Sequence, residues 1–337
     1  MSTQEKWFRF GKNLSPKRQR GLTVASFMLP LILWSAISYV PFIWHPEVRI
    51  SEVGDTIYFD VDDRIDIETF QLENQNMVEA GSVPMVGERV NPVYFPAPHE
   101  VTKALYSAFV TEPRRDGEPW FHESVAHSVR VVFWGFILSS IFGVPVGILC
   151  GVFNTFSKLT EPFVEFFRYF PAPVFGALAV AILGINDAPK VAIIFIGTFF
   201  QQVLVIANTT RTVDFSLVEA AQTLGAKPGR LLFKVVIPSV LPKLYMDMRI
   251  LLGWAWTYLI VAEVVGTSTG ISWFINQQAK YRMFENVYAA ILVLGFIGLG
   301  TDMILGAIGR QLFAWEDGRR SAFSRLFRKT KPVAAEA

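Results

Sequence analysis

The stretch DFSLVEAAQTLGAKPGRLLFKVVIPSVLP, residues 214–242, decides the fold, because it is a polar, helix-forming segment between two long apolar runs. Ser216 and Glu219 stand three residues apart, the spacing of a capping box, in which two side chains satisfy backbone N–H groups at a helix start. This pattern predicts a helix that begins at Ser216. Gly225 predicts where the helix ends, since glycine readily takes the left-handed conformation that closes a helix.

The apolar stripe of this helix has small residues at its centre and is formed by Leu217, Ala220, Ala221 and Leu224. Small residues let another chain approach closely, so the helix is shaped to dock in a groove of a partner protein. A second helical run is predicted from about Arg230, and Pro238 and Pro242 are expected to end it, because proline restricts the backbone. The alternative is a helical hairpin that only joins two membrane spans.

The composition of the remaining chain indicates a membrane protein. Of the 337 residues, 52 % are hydrophobic and only 18 % are charged, and the mean hydropathy is +0.36. A membrane span needs about 20 apolar residues, and several runs in this chain reach that length. A soluble enzyme of this size does not contain so many long apolar runs. We predict six spans, at about residues 22–44, 125–152, 161–185, 189–213, 244–264 and 287–309.

Charged residues predict which side each segment occupies, because loops rich in Lys and Arg stay in the cytoplasm. The N-terminus (1–21), the loop 214–242 and the tail (316–337) are basic, whereas segment 45–93 has 11 acids and three arginines. The basic segments are therefore expected in the cytoplasm and the acidic insert outside it. Two cytoplasmic termini require an even number of crossings. A cleaved signal peptide is the alternative for the first span, but its apolar run is too long.

The acidic insert, 45–93, is predicted to be folded. Ile57, Phe59 and Val61 alternate with polar residues, and Ile65 and Ile67 do so again, which indicates a small strand pair. An acidic cluster could hold calcium, but the glycine of an EF-hand loop is missing, so a solvated acidic face is preferred. That cluster consists of Asp60, Asp62, Asp63, Asp66 and Glu68.

Several polar residues at membrane depth are candidates for lining a pathway. Gln201, Gln202 and Asn208 either form hydrogen bonds between helices or line the pathway. Trp254 and Glu263 complete this candidate set. Glu263 near the outer end of its span is either functional, since charges in the membrane are costly, or an interfacial carboxylate in contact with water.

Other residues in the spans have structural interpretations. Asp247 and Arg249 are expected to pair with each other or with partners in the bundle, and Asp302 is expected to make a polar contact facing the bundle. Pro171 and Pro173 predict a break in the third span. Small residues in the second span predict close helix packing; they are Gly143, Gly147 and Gly151.

No metal site or catalytic group is predicted. The four histidines have no metal-ligand spacing, and the single cysteine, Cys150, lies in an apolar run and cannot form an intramolecular disulfide. The histidines are His45, His99, His122 and His127.

Three segments carry a family resemblance. The pattern EAA-x3-GA at Glu219–Ala226, followed by Phe233, Val236 and two prolines, resembles the EAA loop of ABC importer permeases. The segment PAPHEV, residues 96–101, resembles the entry to the transport core in the nitrate, sulfonate, taurine and bicarbonate branch, and DMRILLGWAW, residues 247–256, resembles a further family segment. The resemblance covers about residues 94–315. The acidic insert is a departure from the family pattern. The identity of the transported solute therefore cannot be inferred from familiar members of the family.

The resemblance implies an all-α membrane protein with the six-helix type I ABC importer permease fold and a small β-containing extracytoplasmic insert between helices 1 and 2. It also implies a multi-pass protein of the bacterial inner membrane that pairs with a second permease copy, two ATPase subunits and an extracytoplasmic solute-binding protein. No nucleic acid is expected as a partner. The implied solute is a small anion such as nitrate, a sulfonate, taurine or bicarbonate. The residues implied in ATPase coupling are Ser216, Glu219, Ala220, Ala221, Leu224, Gly225, Ala226 and Pro228.

The chain itself is expected to be non-catalytic and to bind no cofactor. It lacks the G-x-x-x-x-G-K-[ST] phosphate loop, so ATP and Mg²⁺ are expected in the partner ATPase. One alternative is an ion-coupled carrier or channel, in which Glu263, Asp302 and Asp247 form a charge relay. Another is a membrane-anchored interaction protein whose acidic insert is the working part.

Overall fold

The computed structural model describes residues 15–40, 43–113, 117–264 and 269–315. The chain forms two compact units, Met1–Thr111 with Gln277–Ala289 and Glu112–Asn276 with Ala290–Ala337. Most of the basic N-terminus and the basic tail, which the sequence predicts to be cytoplasmic, lie outside the described residues.

The first unit contains a long apolar helix and a small α/β segment. Its elements are α1 (Pro16–Tyr39), β1 (Glu47–Glu52), β2 (Arg64–Asp66), α2 (Ile67–Glu79), β3 (Val86–Val90) and α3 (Pro98–Val110). Helix α1 has proline at its first position, where a missing N–H is harmless. It begins earlier and ends earlier than the predicted span 22–44, so Trp44 lies beyond the helix.

The insert folds around a three-stranded antiparallel sheet in the order β2-β1-β3. Its core is Ile50, fully buried against Met77 of α2 and Met85. The strand predicted at Ile57–Val61 is wrong, because these residues form bends and turns and Ile57 is 88 % exposed. The second predicted strand corresponds to β2, but Ile67 already begins α2. Alternation failed here because β2 and β3, which both follow β1 in the chain, occupy the two edges of β1 in the sheet, and residues 57–61 lie in the loop between β1 and β2.

The second unit is helical. Its elements are α4 (Phe121–Val152), α5 (Asn154–Phe167), a 3-10 turn (Ala172–Phe175), α6 (Gly176–Leu183), α7 (Ala188–Thr210), α8 (Phe215–Thr223), α9 (Pro228–Leu231), a π-helical turn (Leu232–Val236) and α10 (Ile237–Val264). Helices α11 (Ile271–Lys280) and α12 (Phe284–Leu312) follow, and the boundaries between the two units fall inside them.

Close packing of α4 on α7 forms the centre of the second unit. A Cβ atom added at Gly147 would lie 2.7 Å from the Cβ of Ile206, and one added at Gly143 would lie 2.9 Å from Gln202 Oε1. The helices can approach this closely only because one of them lacks side chains at the contact. The residue numbers at these contacts increase along both helices together, so α4 and α7 run parallel. The close packing predicted from the small residues of the second span is confirmed.

Four described helices are long and apolar enough to cross a membrane, or five if the bent pair α5–α6 counts as one span. That pair turns by 84° at the break, which confirms the break predicted at Pro171 and Pro173. Helix α10 has 28 residues but contains four charged ones, and it falls outside this count. The predicted number of six is therefore not reached by length and composition alone.

The expected helix stop at Pro238 and Pro242 is wrong. Residues from α9 through the π-helical turn to the end of α10 are helical without interruption. The π-helical turn, which is wider than a regular turn, ends at Val236, two positions before Pro238. Membrane helices also tolerate proline where neighbouring groups satisfy the freed carbonyls.

Candidate functional site

Helix α8 starts at a cap provided by Asp214. The Asp214 carboxylate accepts a hydrogen bond from the Ser216 backbone N–H at 3.0 Å, and hydrogen bonds from the hydroxyl and the N–H of Ser216 lower the pKa of Asp214 below its usual value. The predicted capping box of Ser216 and Glu219 is wrong, since Ser216 lies inside the first turn. Aspartate and serine are both good cap residues, and the structure places Asp214 at this position instead of Ser216.

Helix α8 ends as predicted, at Gly225. This residue has a φ of +78°, a left-handed conformation that favours glycine. Its N–H donates to Gln222 O at 2.8 Å, and the N–H of Ala226 donates to Ala221 O at 3.0 Å. This pattern closes the helix within its own last turn, so both ends of α8 are fixed by local hydrogen bonds.

The surface of α8 is mostly uncovered. Val218 is the residue of α8 that is buried, at 8 % exposure, whereas Glu219 and Ala220 are exposed and Ala221 is half-buried. Apolar side chains beside them stand in the open, with Leu224 at 88 % exposure and Phe215 at 67 %. Ser216 and Pro228 are exposed as well, and Ala226 is half-buried. Helix α8 therefore presents small and apolar residues that no described part of this chain covers.

The candidate pathway residues do not come together in one place. Gln202 is fully buried between α4 and α7, and its side-chain amide donates to Ser140 Oγ at 3.2 Å, a contact between helices. Gln201 is half-buried. Asn208 is exposed and accepts a hydrogen bond from Arg211 at 3.0 Å, and Trp254 is 47 % exposed. Of the two interpretations of Gln202, its surroundings favour the interhelical contact.

Helix α10 uses its charged residues to bind its neighbours. Arg249 forms a two-pronged ion pair with Asp302 of α12, at 3.0 Å and 2.8 Å. Asp247 accepts a hydrogen bond from Thr209 of α7 at 2.5 Å. The alternative in which Asp247 and Arg249 have partners in the bundle therefore holds, and so does the bundle contact predicted for Asp302.

Glu263 lies in a buried polar cluster at the end of the second unit where α10 ends and α7 begins. It is 1 % exposed, which contradicts its interpretation as an interfacial carboxylate. The Ser128 hydroxyl of α4 donates to Glu263 Oε1, and the N–H of Ser272 in α11 donates to Oε2 at 2.8 Å. Ser128 Oγ in turn accepts from the Ile271 N–H at 2.9 Å. Glu263 thus holds the start of α11.

Lys190 belongs to the same cluster and was not singled out from the sequence. Its side chain is fully buried, and its Nζ donates to Thr269 Oγ1 at 2.9 Å and to Thr269 O at 3.3 Å. Asp187 Oδ1 lies 3.4 Å from the same Nζ and 3.2 Å from His127 Nε2. In the sequence, a lysine in the first turn of an apolar helix is typical of a charge that flanks a membrane span. Lys190 is buried because α4, the start of α7 and the segment before α11 pack around it.

In the described part of the chain, no group of three or more His, Cys, Asp or Glu side chains is arranged to hold a metal ion. This statement includes the acidic cluster of the insert, where Asp63 instead accepts a hydrogen bond from the Asp60 N–H at 2.8 Å.

Several helices long and apolar enough to cross a membrane, together with a capped and largely exposed helix between α7 and α10, define the class of multi-pass membrane proteins. The chain belongs to the family of binding-protein-dependent transport system inner membrane components, whose sequence pattern matches residues 143–313, just over half of the chain. The family assignment made from the EAA pattern is confirmed.

Relatives and solved structures agree with this assignment. A probable ABC transporter permease protein of Brucella abortus (strain 2308) is 33 % identical over 190 residues, which cover 56 % of this chain and 76 % of that protein. The taurine transport system permease protein of Escherichia coli (strain K12) is 26 % identical over 226 residues, covering 67 % and 82 %. A methionine ABC transporter in inward-facing conformations shares the fold, with a TM-score of 0.51 and 20 % identity over 56 % of this chain and 93 % of that one.

Proposed function

We propose that the chain is the transmembrane permease subunit of an ATP-driven importer and that α8 is its docking site for the ATPase. The observation that carries this proposal is the exposure of α8, whose ends are fixed by local bonds while Leu224 is 88 % exposed. Burial of such an exposed apolar side chain against a partner protein is favourable, because it removes apolar surface from water. The small residues Ala220 and Ala221 allow that partner to come close.

The proposed topology has six crossings, formed by α1, α4, the α5–α6 pair, α7, α10 and α12. Helix α10 joins this set despite its charges, because Asp247, Arg249 and Glu263 each have a partner inside the second unit. Partnered charges are much less costly in a membrane than free ones. Six crossings place both termini on one side of the membrane.

The orientation follows from the charges near each end. Basic residues surround α8, so this end of the second unit lies in the cytoplasm; they are Arg211, Lys227, Arg230, Lys234 and Lys243. The opposite end of the second unit, with Glu263 and the start of α11, then lies outside the cytoplasm. The acidic insert 45–93, which has few basic residues, is extracytoplasmic by the same rule. The basic termini are cytoplasmic in this arrangement.

The partners follow from the family. Two ATPase subunits bind ATP and Mg²⁺ and dock on α8 of two permease copies, and an extracytoplasmic binding protein delivers the solute. The chain itself has no catalytic role and binds no cofactor. The taurine relative supports a small anion or zwitterion as solute, of the class that includes sulfonates and bicarbonate.

Mechanically, the proposed coupling is a switch between two states. Closure of the ATPase pair moves α8, and the uninterrupted helical run from Pro228 to Val264 carries this movement across the membrane. A run of this length spans about 50 Å at the helical rise, enough to reach the other end of the pathway. The pathway then opens to one side and afterwards to the other.

A charge relay for an ion-coupled carrier is not supported. Asp302 is bound to Arg249, and Arg249 and Glu263 stand fourteen residues apart on α10, which corresponds to about 21 Å along the helix. Glu263 is committed to α11 and Asp302 to Arg249, so neither side chain hands a proton to the other in this arrangement.

Two glycines of the same loop provide a matched test of the docking site. A Cβ atom added at Gly225 or at Gly229 meets nothing within 4 Å, but only Gly225 of this pair has a positive φ, at +78°. Valine at a left-handed position costs about 1–3 kcal/mol, so Gly225→Val is expected to distort the end of α8 and to weaken ATPase binding roughly tenfold. Gly229→Val is expected to leave binding unchanged.

The measurement is the amount of ATPase that copurifies with each permease variant from membranes, as a function of ATPase concentration. Equal binding by both variants would refute α8 as the docking site. If the amounts of both variants in the membrane fell equally, the cause would be a general folding defect. Thermal unfolding of the purified permease identifies such a defect as a lowered unfolding temperature.

A further inference from the structure

Two charged side chains of the second unit, Lys190 and Glu263, are buried almost completely, at 0 % and 1 % exposure. Both lie at membrane-helix ends, Lys190 in the first turn of α7 and Glu263 in the last turn of α10. Burying a charge is costly unless hydrogen bonds and partner charges compensate for it. The compensation at this end comes in large part from one short piece of chain, the connector Thr269–Ser272.

The connector is held from two sides. The Lys190 ammonium group donates hydrogen bonds to the hydroxyl and the carbonyl oxygen of Thr269. The Glu263 carboxylate accepts a hydrogen bond from the backbone N–H of Ser272. The first N–H groups of a helix have no partner inside the helix. Ser128 of α4 and Glu263 of the preceding helix α10 supply acceptors for the N–H groups of Ile271 and Ser272, so the Glu263 carboxylate caps α11 and complements its dipole.

Gly270 lets the connector come close enough for these bonds. Its φ of +105° is one that other residues rarely adopt, and a Cβ atom added there would collide with the Glu263 carboxylate. The contact is therefore made of polar bonds around a glycine. Such bonds form in a dry site and are replaced readily once water enters, since water can solvate both charges.

We propose that Lys190 and Glu263 are positioning residues that hold the connector Thr269–Ser272 closed over the extracytoplasmic end of the second unit, and that this contact opens during each transport cycle. The inference rests on the proposed permease function. Glu263 stands at the far end of the helical run that begins beside α8. A movement of the docked α8 therefore reaches the residue that holds the connector.

The first experiment measures ATP hydrolysis by the permease assembled with its cognate ATPase, without binding protein or solute, with MgATP as the probe. Glu263→Ala and Lys190→Met release the connector, and each is expected to raise hydrolysis per assembled complex by about fivefold or more. Glu263→Gln, which keeps an acceptor for the Ser272 N–H, is expected to fall between wild type and Glu263→Ala. Asp302→Asn removes a charge that binds α10 elsewhere and is expected to leave the rate unchanged.

A purely structural role gives a different result. It would reduce the number of assembled complexes but leave the rate per complex equal to that of wild type, and this result would overturn the inference. A failure of the proposed function would instead appear with the unmodified chain, as an absence of bound ATPase.

The second experiment follows the connector directly and needs no ATPase. Ser272→Cys, in a chain in which the native Cys150 is replaced by alanine, puts a thiol at a position that is 1 % exposed. A membrane-impermeant maleimide added from outside is expected to label it slowly, and adding Glu263→Ala is expected to raise the labelling rate about tenfold. Equal labelling rates with and without Glu263→Ala would overturn the inference.

Discussion

The two ends of the second unit are built in opposite ways. At one end, α8 is held by hydrogen bonds between residues no more than five positions apart, such as Ala226 to Ala221, and most of its surface is open. At the other end, Glu263 and Lys190 are buried and bound to residues from other helices, with Glu263 and Ser128 separated by 135 positions in sequence.

This difference matches what each end is proposed to do. A docking surface must stay uncovered, so its shape has to come from its own short sequence. A closure must join distant elements, because it separates two spaces only while those elements stay together. Substitutions in α8 should therefore change the binding of a partner, whereas substitutions in contacts between helices should change the stability of the second unit.

The largest effect on stability is expected in the α4–α7 interface, which connects the two ends of the second unit. Gly147→Ala puts a Cβ atom 2.7 Å from the Cβ of Ile206, and overpacking of this kind costs about 1–3 kcal/mol. Gly253→Ala is the matched control, because a Cβ atom there meets nothing within 4 Å. Alanine is a better helix former than glycine by about 0.5–1 kcal/mol, so this control is expected to be neutral or stabilising.

Denaturation of the purified permease in detergent measures both changes. Opposite shifts of the two variants are expected, with ATPase binding per folded molecule unchanged in each. If Gly147→Ala were as stable as wild type, the tight contact between α4 and α7 would not be a source of stability.

An effect of similar size is expected at α8, but on binding of the ATPase and not on stability. Leu224→Ser removes an apolar side chain that is 88 % exposed in the free chain, and burial of such a side chain contributes about 1.5–3 kcal/mol. ATPase affinity should therefore fall at least tenfold, while the unfolding midpoint stays the same. Gln222→Ser changes an exposed polar neighbour and serves as control. A drop in stability instead of affinity for Leu224→Ser would contradict the comparison between the two ends.

The smallest effect is expected at the Asp214 cap. Because the pKa of Asp214 is lowered in the folded chain, the cap contributes stability above the ordinary aspartate pKa of about 4. This contribution is lost as the pH falls through the lowered value. Hydrogen exchange of the segment 212–226 should thus be constant near neutrality, relative to intrinsic rates, and rise in acid. Asp214→Ala should exchange faster than wild type near neutrality and at a similar rate in acid, where wild type has lost the cap as well. A wild-type segment that exchanges equally at all these pH values would exclude the cap.

Features confined to a short window of sequence were predicted well. The end of α8 at Gly225, the break at Pro171 and Pro173, and the close packing of the glycine-rich second span all depend on neighbouring residues or on the character of one helix face. The cap of α8 was misplaced by two positions, at Ser216 instead of Asp214, because both residue types accept the same kind of hydrogen bond.

Features that depend on pairing between distant residues were missed. The strand predicted at Ile57–Val61 has the right alternation, but β1 finds its partners in β2 and β3. Proline 238 has the right chemistry for a helix end, yet the π-helical turn before it lets the helix continue. In the first case strand pairing elsewhere in the sheet overruled the local preference, and in the second case the irregular helix geometry next to the proline did so.

The sequence by itself determined the membrane character of the chain, the exposed helix α8 with its glycine end, and the family to which the chain belongs, because hydropathy, local hydrogen bonding and a contiguous motif are all properties of neighbouring residues. Only the tertiary structure decided that Lys190 is buried and that Glu263 caps α11. Burial of a charge is possible only where several elements meet and supply its partners, and the linear order of residues does not show where that happens.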